Sequence, residues 1–303
     1  MVDDKLIIFG LGRMGRGISR RLKTRGYKLA VYDINPEARE EMKEGFLVLQ
    51  SPSEISKLFE KERKIVFIMV PHQAVDEVLT SLESYLSEGD VVIDGGNSYY
   101  KDSQRRHERL KEVGVYFMDV GVSGGVYGEE EGYCLMIGGD RKAFELCKKI
   151  FRDLSYKGEG YAYLGSSGAG HFAKMVHNGI EYALMEAIGE GFELLKESEF
   201  NYDLKEVARI YNMGSVIRSW LLELTEMVFE DFGGLEKIEP YVMDTGEGRW
   251  TLLEAIHKSV PASTIAEALF MRFRSRQKDS FRDKLLAALR YEFGRHEIKR
   301  KDE

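Results

Sequence analysis

Leu6-Ile7-Ile8-Phe9-Gly10-Leu11-Gly12-Arg13-Met14-Gly15 is the stretch that decides the fold. Four apolar residues predict a buried strand, the G-x-G-x-x-G spacing a tight turn, and the residues beyond it a helix. Glycines there let backbone amides approach a pyrophosphate at the helix N-terminus. A second strand, over 28–32, ends at Asp33, about twenty residues on, where a carboxylate suits the ribose hydroxyls of a dinucleotide. The alternative role of Asp33 is to cap a helix starting near Pro36. On the first role a 2′-phosphate is repelled, so NAD is favoured over NADP; Arg13 or a neighbouring lysine is the feature that would tolerate the phosphate. The candidate cofactor residues are Gly10, Leu11, Gly12, Arg13, Met14, Gly15 and Asp33. Val70 and Asn97 join them, because ligands of open parallel sheets lie beyond the carboxyl ends of strands. Asn97, in Asp94-Gly-Gly-Asn97-Ser98, has two readings: a bond to nicotinamide and substrate, or a turn former.

Outward from that turn, apolar runs at 6–9, 28–32, 65–70, 91–94, 115–120 and 133–137 alternate with helical patterns at 15–25, 36–43, 53–60, 73–85 and 103–113. Such alternation predicts a parallel, doubly wound sheet. Beyond residue 169 the pattern is helical, over 169–198, 204–212, 219–229, 251–257, 264–273 and 281–290. The expected class is α/β: a Rossmann-like dinucleotide-binding domain over 1–165, then an all-helical domain over 166–303. The glycine-rich loop Gly165-Ser-Ser-Gly-Ala-Gly170 marks the boundary.

The chain has 303 residues, enough for two cores, and a net charge of −7 that argues against nucleic acid or an anionic membrane as partner. Its two cysteines give neither a disulfide framework nor a zinc site. Cys134, in a strand-like run, and Cys147, in a helical one, both read as buried core. The apolar strand at Leu6 leaves no room for a signal peptide, and no apolar run approaches ~18 residues, so cytoplasmic residence is expected. Glu129-Glu-Glu131 is the one dense acidic run; it reads as a solvated turn, and no metal is expected.

Lys174-Met-Val-His177-Asn178-Gly-Ile-Glu181-Tyr182 carries the chemistry. At helical spacing Lys174, His177, Asn178, Glu181 and Tyr182 share one stripe. Flanked by Met175, Val176, Ile180, Ala183 and Leu184, the stripe is expected to be buried. A buried amine and carboxyl are costly unless they exchange protons with a ligand.

The order and spacing of Gly10–Gly15, Asp94-Gly-Gly-Asn-Ser98, Gly121-Val-Ser123-Gly124-Gly125 and Gly168-Ala-Gly-His-Phe-Ala-Lys174-Met-Val-His-Asn-Gly-Ile-Glu-Tyr182 resemble the 6-phosphogluconate dehydrogenases. Gly214-Ser-Val-Ile-Arg218, Gly248-Arg-Trp-Thr251 and Arg290-Tyr-Glu-Phe293-Gly294-Arg-His296 resemble the family's substrate segments. The resemblance implies oxidative decarboxylation of 6-phosphogluconate to ribulose 5-phosphate and CO2. Lys174 is then the general base and Glu181 the acid. Asn97, Ser123, Gly124, Gly125, His177 and Asn178 hold carboxylate and hydroxyls. Tyr182, Arg218 and Arg290 grip the phosphate, and His296 completes the sugar site. In the family the last two come from the neighbouring subunit, which implies a homodimer or homotetramer with shared sites and assigns substrate binding and dimerisation to the domain over 166–303. Long members have a duplicated helical domain; this chain resembles a short form. It carries Thr245 and Glu247 where long members carry a lysine and a threonine, with Arg249 as the residue that would compensate. Two other classes remain: a 3-hydroxyisobutyrate-type dehydrogenase, which shares the glycine turn, the Ser-Gly-Gly segment and the helix lysine, and an inactive nucleotide sensor, which needs neither Lys174 nor Glu181.

Overall fold

A computed structural model describes residues 5–58 and 63–299. The expectations touching residues 1–4 and 59–60 lie outside these. Contacts divide the chain into two compact units, residues 1–178 and 179–303.

The first unit runs β1 (Lys5–Phe9), α1 (Arg13–Thr24), β2 (Lys28–Tyr32), α2 (Pro36–Glu40), β3 (Leu47–Val48), α3 (Ile55–Leu58), β4 (Ile65–Ile68), α4 (Val75–Leu82), β5 (Val91–Asp94), α5 (Tyr100–Lys111), β6 (Tyr116–Ser123), α6 (Gly128–Glu131), β7 (Cys134–Gly139), α7 (Arg141–Leu154) and β8 (Tyr161–Gly165). The strands form one sheet in the order β3-β2-β1-β4-β5-β6-β7-β8. Pairing is parallel except between β6 and β7. Strands β4 and β5 are buried along their whole length, as a sheet covered on both faces requires. One layer of core holds Ile8, Ile18, Leu22, Phe67 and Phe151; the other holds Ile7, Phe9, Val66, Leu79 and Phe117. The strand order reverses between β1 and β4, so their carboxyl ends open a crevice of the kind that takes a dinucleotide.

Two strands, β3 and β8, go beyond the sequence reading, and the helical run around Cys147 proves to be the long α7. Helix α7 buries Ala143, Phe144, Cys147, Ile150, Phe151 and Leu154 at three- and four-residue spacing. Two expectations are corrected. Cys134 is exposed, because it opens β7 at the sheet's end, whereas Cys147 is buried as expected. Glu129–Glu131 form the short helix α6 instead of a turn, and the buried Arg21 donates to the carbonyls of Glu129 and Glu130.

Helix α8 (Ala169–Lys196) runs from the first unit into the second, which continues with α9 (Leu204–Asn212), α10 (Trp220–Phe232), α11 (Glu247–His257), α12 (Ser263–Ser275) and α13 (Phe281–Gly294). Within this unit Phe192, Val207, Ala208 and Leu222 make one small core and Tyr182, Ala268 and Leu269 another. Among the described residues no helix is long and apolar enough to cross a membrane.

Candidate active site

The glycine turn after β1 has the geometry of a phosphate cradle. Gly10 sits at φ +99°, and a Cβ there would lie 2.5 Å from the Met69 carbonyl oxygen. A Cβ on Gly15 would lie 2.0 Å from the Gly10 carbonyl oxygen, so the third glycine lets α1 pack on the turn. Gly12 differs: a Cβ there meets nothing within 4 Å. It is the N-cap of α1, has no side-chain cap, and the first turn of α1 holds no acid. Open space at an uncapped helix start fits a pyrophosphate. Leu11 is buried, Met14 packs on the core and Arg13 is exposed.

Asp33 binds this turn directly, its carboxylate accepting from the Leu11 amide at 2.6 Å. The capping role falls to Asn35, which accepts from Glu37 N–H at 2.9 Å. Beside Asp33 stands a cation that the sequence reading missed: Arg39 donates to the Asp33 carbonyl at 2.7 Å and lies over the Tyr32 ring. Two further turns reach the same edge. Val70 Cγ1 abuts Gly10, and a Cβ on Gly96 would stand 2.5 Å from the Val70 carbonyl. Asn97 follows at φ +54°, a left-handed conformation that asparagine tolerates better than most residues.

Helix α8 is held on the sheet by Asp119. Its carboxylate accepts from the Gly168 amide at 2.7 Å and the His171 amide at 2.9 Å. A Cβ on Gly170 would lie 2.3 Å from the Asp119 carbonyl, so the helix start rests against β6. Gly168 and Gly170 signal this approach in the sequence; Asp119, far upstream, does not. Lys174, His177 and Asn178, the part of the stripe within the first unit, follow. Lys174, 7% exposed, has Nζ 3.4 Å from His177 Nδ1, and His177 Nε2 is 3.3 Å from Ser123 Oγ. His177 Nδ1 also faces Asn178 Oδ1 at 3.2 Å, and Asn178 is buried. Gly124 and Gly125 follow Ser123 in left-handed conformations, φ +129° and +56°. Glu181 lies two turns beyond Lys174 on the same helix and is half-buried, more open than the sequence suggested. Ile180 and Leu184 are exposed, so the apolar flanks do not seal the stripe within one chain.

In the second unit, buried Tyr182 meets cations from elsewhere. The guanidinium of Arg272, on α12, stacks 3.4 Å from the Tyr182 ring centroid and donates to the Met243 carbonyl at 2.8 Å. Nothing in the sequence pairs these two residues. A Cβ on Gly248 would lie 2.7 Å from the ring, and the Thr245 amide faces the Tyr182 hydroxyl at 3.4 Å. Arg249 is turned to Asp244, at 2.7 and 3.0 Å, and Arg276 reaches the same carboxylate at 2.9 Å. The Arg249 hydrogen bond holds Asp244 below the usual carboxylate range. Glu247 is buried and accepts from Thr245 Oγ1. Among the described residues, no hydrogen bond or ring contact joins Tyr182 to Arg218, Arg290 or His296. Arg218 is exposed in the loop before α10, on the wall of an apolar cavity of about 810 Å³ with Phe192, Tyr211 and Leu222. Arg290 is exposed on α13, and His296, also exposed, rests its ring on Phe293. No group of three or more histidines, cysteines or acids able to hold a metal occurs among the described residues.

Comparison with known proteins gives the geometry a family. The NAD binding domain of 6-phosphogluconate dehydrogenase matches residues 5–165, and the C-terminal domain of the same enzyme matches residues 170–303. A Bacillus subtilis (strain 168) protein, YqeC, provisionally named as this dehydrogenase, is 44% identical over 301 residues, 98% of this chain and 100% of the relative. The NAD(+)-dependent decarboxylating 6-phosphogluconate dehydrogenase of Haloferax volcanii is 41% identical over 303 residues, 99% of this chain and 100% of its own. The structure of Plasmodium falciparum 6-phosphogluconate dehydrogenase, known with NADP+ and with 6-phosphogluconate, superposes with a TM-score of 0.80 at 29% identity, covering 99% of this chain and 67% of that one. With both halves matched and relatives aligned end to end, the chain belongs to the 6-phosphogluconate dehydrogenase family.

Proposed function

We propose that this chain oxidises 6-phosphogluconate at carbon 3 and decarboxylates the product to ribulose 5-phosphate and CO2, with NAD preferred over NADP. The observation that carries the reading is Lys174, buried with Nζ against His177, whose other ring nitrogen faces Ser123. The nicotinamide cofactor supplies the hydride acceptor when bound. Gly10–Gly15 with the start of α1 would hold its pyrophosphate, and Asp33 its ribose. Val70 and Asn97 would border the nicotinamide.

Lys174, entering as the neutral amine, takes the proton of the carbon 3 hydroxyl as hydride leaves that carbon. The 3-keto acid then loses CO2 by cleavage of the bond between its first two carbons. Lys174, now an ammonium ion, can donate to the carbonyl oxygen as the enediol forms. Glu181, as the acid, delivers a proton to the carbon that becomes C1 of the ketose, while Lys174, neutral again, takes the proton of the adjacent enol hydroxyl. Asn97, Ser123, Gly124, Gly125, His177 and Asn178 position carboxylate and hydroxyls. Tyr182 takes the phosphate with Arg272, whose planar fork suits phosphate oxygens and which the geometry favours over Arg218. Arg290 and His296 complete the site from a second copy of the chain, which makes the working form at least a dimer.

The test mixes protein, 6-phosphogluconate and either cofactor, and follows reduced nicotinamide and CO2 together. Equal release of both, faster with NAD, is expected, with Lys174→Met and Glu181→Gln each slower by roughly 10²-fold or more. Parent-like turnover by either variant would refute the scheme. Reduction without CO2 would mark a plain hydroxyacid dehydrogenase, silence with both cofactors a sensor, and a strong NADP preference would overturn the role of Asp33.

A further inference from the structure

We propose that Arg106 is a positioning residue for the hydride-transfer step, clamping the turns that carry Val70 and Asn97. Arg106 lies on α5 and is 1% exposed. A guanidinium has five N–H donors in a fixed fork, and here all five are used. Nη1 donates to Asp94 Oδ2 at 3.0 Å and to Ser98 Oγ at 2.8 Å, on the turn after β5. Nε donates to Asp76 Oδ1 at 2.9 Å, and Nη2 to Asp76 Oδ2 at 3.1 Å and to the His72 carbonyl at 3.3 Å. The last two partners lie on the turn and helix after β4. Asp94, fully buried, completes the arrangement by accepting from Ser98 Oγ at 2.9 Å and from the Gly96 amide at 3.0 Å.

The residues between these anchors include Val70 and Asn97, the two assigned above to the nicotinamide. Asn97 is bracketed by Gly96 and Ser98, both tied to Asp94, and it is held at φ +54°. A left-handed asparagine costs about 1 kcal/mol, so the conformation persists only where neighbours impose it. The Val70-Pro71 turn is bracketed by Gly96, which packs against the Val70 carbonyl, and by His72, whose own carbonyl Arg106 holds. The hydrogen-bond partners of Arg106 are Asp76, Asp94, Ser98 and the His72 carbonyl, which flank Val70 and Asn97, so it fixes the spacing of the turns that present them. A core filler would not need a charged fork spanning two carboxylates, since a buried cation with incomplete pairing is destabilising.

Arg106→Lys keeps the charge but cannot bridge Asp76, Asp94, Ser98 and the His72 carbonyl together. The inference rests on the proposed role of Asn97, so the experiment is a double-mutant cycle of Arg106→Lys with Asn97→Ala in the full-length enzyme. It reads kcat on 6-phosphogluconate with NAD, alongside the unfolding midpoint. Arg106→Lys is expected to lower kcat roughly tenfold or more. The double variant is expected to be no slower than Asn97→Ala alone, because the clamp acts through Asn97. Parent-like kcat in Arg106→Lys, even with a lowered midpoint, overturns the proposal, as do effects that multiply in the double variant. Parent-like kcat in Asn97→Ala overturns instead the reading of Asn97 on which the clamp rests. Should Arg106→Lys fail to fold, Ser98→Ala, which deletes one clamp contact, enters the same cycle with the same criteria.

Discussion

Gly121→Ala is the sharpest probe of the geometry around Lys174. Gly121 lies on β6, facing α8, and an added Cβ would stand 2.4 Å from Lys174 Cβ, 3.0 Å from its Cγ and 3.1 Å from the Gly170 carbonyl oxygen. Carbon pairs at rest sit at about 3.5–4.0 Å, so α8 must move by roughly 1 Å at Lys174. Rotation of the lysine cannot relieve the clash, because the nearest atom is Cβ, fixed to the helix backbone. Motion of the helix is opposed by Asp119, which holds the Gly168 and His171 amides. Overpacking of this kind costs about 1–3 kcal/mol. A 1 Å displacement of a general base costs about 10² in turnover.

The assay pairs urea unfolding with kcat on 6-phosphogluconate, and Gly189→Ala serves as the control. Gly189 lies on the same helix with nothing within 4 Å of its added Cβ, so alanine should raise stability by about 0.5–1 kcal/mol through helix propensity alone. If Gly121→Ala unfolds earlier yet turns over at the parent rate, the contact matters for packing and the placement of Lys174 argued above is wrong.

Two further outcomes follow from the titratable groups. Cys147 is buried and its thiol is pushed up to about 12 by that burial, whereas Cys134 is exposed. A thiol reagent should therefore label one cysteine rapidly and the second only in denaturant, and two fast thiols would contradict the packing of α7. Asp76 and Asp244 are held below the usual carboxylate range, by hydrogen bonds from Arg106 and Arg249 respectively. Depressed carboxylates contribute stability that is complete above the unfolded value, about 3.9, and lost as pH falls below it. Urea midpoints should thus hold down to about pH 4 and then drop; a flat profile through that range would show that neither pair matters to folding.

What the sequence discloses is what is local. Strands β1, β4 and β5 announce themselves as continuous apolar runs because both faces of the sheet are covered. The stripe from Lys174 to Tyr182 is a property of one helix, so periodicity alone assembles it. Strand β3 is two residues long, too short for any pattern, and β8 is only partly buried, reading as a mixed Tyr-Ala-Tyr segment. Cys134 shows the limit differently. Its residue type and neighbours suit a core, but its register opposite Ser123 at the end of β7 leaves it open, and register is set by pairing across the sheet. Asp119 and Arg106 are equally invisible, since each works through partners on other elements.

The surroundings of Tyr182 bring this lesson to chemistry. Thr245 and Glu247, standing where long family members have a lysine and a threonine, suggest lost cationic character and an added repulsive carboxylate. The structure shows where these side chains go. Glu247 is buried and accepts a hydrogen bond from Thr245 Oγ1. Asp244 engages Arg249 and Arg276, whereas Arg272 stacks on the Tyr182 ring with no carboxylate within ion-pair distance among the described residues. Arg272, on α12, is thus the cation set directly against the Tyr182 ring. Field strength at a site depends on which charges remain after pairing, and that sum becomes readable only once the partners of each guanidinium are known.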